Sequence, residues 1–80
     1  MNTEKIFLTD LDAGLSGTVK EIAGGFGAIR RLRALGFGVG DHITKLSGMH
    51  MRGPVIIKVR GTHIAIGYGI ASKIIVEVKK

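Results

Sequence analysis

Arg30, Arg31 and Arg33 fall within the stretch RRLRALGFGVGD. Their permanently charged guanidinium forks suit carboxylate and phosphate recognition better than any other side chain. Such a cluster serves a nucleic-acid grip, an anion cradle or an acidic protein partner. The glycine-rich AGGFGAIR just before it could present free backbone amides at a helix start. It lacks the GK[ST] of a phosphate-binding loop, so it reads as a plain strand-to-helix connection. Metal chemistry has fewer candidates, because Cys is absent and His42, His50 and His63 are the only imidazoles. Met49 and Met51 flank His50 in a loop and add soft sulfur donors. This trio is the first metal candidate, but nothing in the spacing brings three ligands together, and weak binding of ferrous iron or zinc is the most it predicts. No catalytic residue is assigned, since no nucleophile motif or opposed carboxylate pair is present.

Short elements separated by thirteen glycines must position these groups. That density points to tight turns in a small barrel. Strands are expected over Thr18 to Ile22, His42 to Leu46, Val55 to Arg60, His63 to Gly67 and Ile74 to Val78, and in the last three apolar residues recur with a period of two. Gly61 and Thr62 are expected to form a two-residue hairpin turn, placing Ile57, Val59, Ile64 and Ile66 in one core. GIASKI is long enough for one helical turn.

The arginines belong on a helix of two or three turns, with Ala28, Leu32 and Leu35 along its apolar face. Leu32 and Leu35 are expected to close the barrel. Gly36 stands where a left-handed residue would end the helix, and Gly38 and Gly40 would turn the chain so that Asp41 enters the next strand. Gly40 and Gly61 are thus read as structural, and Phe37 as an apolar loop residue that adds area to a docking surface.

Composition limits the rest. Eighty residues form one domain over 1–80 with a single small core. No apolar run approaches the roughly 18 residues of a membrane span, the N-terminus lacks signal-peptide features, and the absence of Cys favours a reducing compartment, so a cytoplasmic location is expected. The net charge of +6 attracts acidic partners without choosing among them. With one Tyr, three Phe and no Trp, the chain is short of the stacking rings of single-strand binders, and nucleic acid is an unlikely partner.

The ordered set LTDLDAGLSGTVKEIAGG, RLRALGFGVGD and GPVIIKVRGTHIAIGYGIASKIIVEV resembles the FeoA family of bacterial and archaeal ferrous-iron uptake proteins over almost the full chain. The resemblance implies a mainly β fold, an SH3-like barrel of about five antiparallel strands with one or two short helices packed on it. It also implies a non-enzymatic accessory of the membrane transporter FeoB, held at the inner face of the cell membrane through that partner. The leading expectation is a protein-interaction module that docks on FeoB with Arg30, Arg31, Arg33 and Phe37 and modulates its G-protein domain. The alternatives are a metal-sensing domain similar to the C-terminal part of DtxR-type repressors, and a basic SH3-like nucleic-acid binder.

Overall fold

The structure, a computed structural model, describes residues 2–48 and 53–79. The chain forms β1 (Thr3–Phe7), a 3₁₀ turn (Leu8–Asp10), β2 (Ser16–Ile22), α1 (Gly25–Leu35), β3 (His42–Gly48), β4 (Val55–Val59), β5 (Thr62–Ile66), α2 (Tyr68–Ala71) and β6 (Ile74–Lys79). All strand pairs are antiparallel, in the order β1-β6-β2-β3-β4-β5. The fold is mainly β and SH3-like, with two short helices on a six-stranded sheet. The strand beyond the expected five is β1, whose mostly exposed residues give no alternation to read.

Alternating apolar residues build the core. Val55, Ile57 and Val59 of β4 are buried on one face while Lys58 is exposed on the other, the pattern that a half-covered strand requires. They join Val19, Ile22, Ile43, Ile66, Ile74 and Val76 from four other strands. Leu8 and Leu11 cap one end from the 3₁₀ turn, and Ala28 and Leu32 of α1 pack on the same cluster. Ile64 is only partly buried against it.

The β4–β5 hairpin differs in its turn. Val59 pairs with Thr62, so the two loop residues are Arg60 and Gly61 rather than Gly61 and Thr62. Both have positive φ, 49° and 81°, as a type I′ turn needs to follow the right-handed twist of its strands. Gly61 supplies the second left-handed position, and the register sets Ile57 opposite Ile64 and Val55 opposite Ile66.

Candidate functional site

The end of α1 is built by its own sequence. Gly36 follows the helix with φ 99°, its N–H donating to the Arg33 carbonyl at 3.0 Å, and the Phe37 N–H donates to the Leu32 carbonyl at 3.1 Å. This is the double bond of a Schellman motif, which brings the side chains of Leu32 and Phe37 together. Phe37 is therefore a core residue, 4% exposed, and not the docking residue expected from the sequence. Leu35 shows the converse: it is 45% exposed, because Phe37 folds back over Leu32 and fills the space that Leu35 was expected to close. The signal was present in the sequence as an apolar pair, Leu32 and Phe37, spanning Gly36.

The loop after α1 is held on every side. Gly40, at φ 96°, donates its N–H to the Val19 carbonyl at 2.8 Å, and Val19 returns a bond to the Asp41 carbonyl at 2.9 Å. The Asp41 carboxylate accepts the Gly38 N–H at 2.8 Å and pairs with Arg60 at 2.6 Å. From the hairpin turn, Arg60 also donates to the Gly36 carbonyl. One guanidinium thus ties the helix end, the loop and the hairpin together.

Arg30, Arg31 and Arg33 are all exposed. Among the described residues none of them makes an ion pair or a side-chain hydrogen bond. Helical spacing divides them: Phe26, Ile29, Arg30 and Arg33 lie at i, i+3, i+4 and i+7 along one stripe, whereas Arg31 and Leu35 share the opposite flank. The first stripe runs into a shallow groove lined by Ile22, Ile29, Arg33, Gly36 and Val39. Phe26 is 81% and Val39 65% exposed, so both leave apolar surface open beside this stripe.

A second region was not anticipated. Lys45 is 4% exposed, on the same face of β3 as Ile43 and opposite Ile57 across the β3–β4 ladder. Its ammonium donates to the carbonyls of Leu8 at 3.1 Å, Thr9 at 3.2 Å and Leu11 at 2.6 Å, which accounts for all three of its protons. Its backbone holds the same segment, accepting from Gly14 at 2.7 Å and donating to Leu15 at 3.0 Å. Burial lowers the Lys45 pKa below its ordinary value, while Asp10 and Asp12 pull it back upward. A Cβ at Gly48 would lie 2.6 Å from the Lys45 Cε, so Gly48 leaves room for this side chain. Lys45 lines a cleft with Asp10, Asp12 and Tyr68, but with its donors spent it works as a strut. The sequence signal was the strand period, which carries the core-facing phase from Ile43 to Lys45.

His42 on β3 pairs with Thr18 and His63 on β5 with Lys58; Met49, His50 and Met51 lie outside the described residues. Among the described residues no group of three His, Cys, Asp or Glu side chains comes together, and no helix is long and apolar enough to cross a membrane.

Comparison with known proteins places these features. The FeoA domain model matches residues 6–78. A putative Fe(2+) transport protein A of Methanocaldococcus jannaschii is 44% identical over 59 residues, covering 74% of this chain and 70% of that protein. The crystal structure of an iron uptake regulatory protein (FeoA) superposes with a TM-score of 0.83 at 36% identity, over 91% of this chain and 96% of that one. Stenotrophomonas maltophilia FeoA, crystallised with zinc, has a TM-score of 0.71 at 26% identity, over 92% and 96% of the two chains. With the match running through nearly every element described above, the chain belongs to the FeoA family, and its role is that of a non-catalytic accessory in iron transport.

Proposed function

We propose that this domain docks on a FeoB-type ferrous iron transporter at the cytoplasmic side of the membrane, through the outer face of α1 and the loop that follows it. The observation that carries this reading is a contrast within one short stretch. Arg30, Arg31 and Arg33 have no described partner, yet the loop behind them is fixed by Asp41, Arg60 and three backbone bonds. Exposed guanidinium groups on a pre-organised scaffold give electrostatic complementarity at little ordering cost, and Phe26, Leu35 and Val39 add apolar area around them. The family match and relatives covered over most of their length support an iron-transport accessory over a repressor's sensing domain. The scattered placement of the remaining basic residues argues against a nucleic-acid stripe.

A small rigid domain shifts its partner's equilibrium only by the difference in its affinity for the partner's two states. Docking on a switch-bearing G-protein domain meets that condition. Pull-down of the FeoB cytoplasmic region with and without guanine nucleotide tests the proposal. Enrichment that depends on the nucleotide supports modulation of the switch, and no enrichment in either state removes the reading. In this account iron is the cargo of the transporter on which the domain docks.

A further inference from the structure

The two outer strands of the sheet differ in how they are protected. β1, at one end, carries Glu4 and Lys5, and charges on an edge strand discourage pairing with another chain. β5, at the other end, reads THIAI, with no Asp, Glu, Lys, Arg or Pro. Among the described residues the backbone of Thr62–Ile66 bonds only to β4. One side of this strand therefore offers unpaired amides and carbonyls.

The surroundings of β5 are polarised as well. β3, β4 and β5 contain no acidic residue. On the outer face the register lines up Ser16, Thr44, Lys58 and His63 in one row across four strands. Ser16 and Thr44 satisfy each other through their hydroxyls at 2.7 Å. Lys58 and His63, next to the edge, have no described carboxylate partner.

We infer that β5 is a second interaction surface, which accepts an extended, acidic segment of a partner protein as an added antiparallel or parallel strand, with a carboxylate of that segment beside His63 and Lys58. Main-chain bonds would supply affinity and the carboxylate would set specificity. A second copy of this chain is the poorer occupant. Each copy carries +6, and pairing two edges of five residues buries far less than the roughly 1,200 Å² of a stable complex.

The test uses the whole chain, amide chemical shifts, and a blocked peptide of about seven alternating valine and glutamate residues as the probe. Shifts concentrated on Thr62–Ile66 are expected, with affinity falling about fivefold in Lys58→Glu and binding abolished when alternate peptide amides on the pairing edge are N-methylated. Replacing the glutamates by lysines should remove binding. The inference is overturned by shifts on α1 or nowhere, by equal binding of the N-methylated peptide, or by self-association through β5. It stands independently of the α1 reading: changing Arg30, Arg31 and Arg33 to Glu should leave the β5 shifts in place.

Discussion

Lys45 and the arginines of α1 put the same kind of charge to opposite uses. Lys45 is buried in a cage of three carbonyls and holds the 8–15 segment against β3. The arginines stand in solvent on a scaffold that does not need them. A buried cation must satisfy its donors internally because water cannot do so, whereas an exposed one contributes little to stability and remains available to a partner. Removing the first should therefore damage the fold, and removing the others should damage only recognition.

The largest effects are expected inside. Leu32→Ala empties a fully buried position under the helix and should cost about 2 to 5 kcal/mol. Lys45→Met keeps the packed stem but takes the ammonium donor from the Leu11 carbonyl and leaves the Leu8 carbonyl with only the Leu11 amide, at about 3 kcal/mol. Urea unfolding of both variants checks these values, and a Lys45→Met protein as stable as wild type would reduce the cage to a coincidence of geometry. Gly36→Ala should cost about 1 kcal/mol because an L-residue resists φ 99°. Leu35→Ala should cost less than about 1 kcal/mol, since its side chain is half exposed.

Those expectations also separate what the sequence shows from what it hides. Alternation in Val55–Val59 and Ile74–Lys79 is a local property, so those strands, the hairpin and the helix are legible directly. Leu35 and Phe37 exchange their expected places because helical period alone favours Leu35, while the chain reversal at Gly36 hands the core position to Phe37. The Lys45 cage could not be found from residue types, because its partners are backbone carbonyls 34 to 37 residues away, and any residue type presents a carbonyl. The arginine cluster was visible in the sequence; the groove beside its Arg30 and Arg33 flank depends on where Val39 and Ile22 meet in space.

The smallest structural effect should accompany the largest functional one. Changing Arg30, Arg31 and Arg33 together to Glu should leave the thermal midpoint within a few degrees of wild type, at about 1 kcal/mol or less. Titrating wild type and this variant against an intact FeoB-type transporter in lipid nanodiscs, at low and at raised salt, is the most direct measurement. The account predicts binding by wild type that weakens with salt, and a loss of about tenfold or more in the folded variant together with most of that salt dependence. A folded variant that binds like wild type, with the same response to salt, would contradict it.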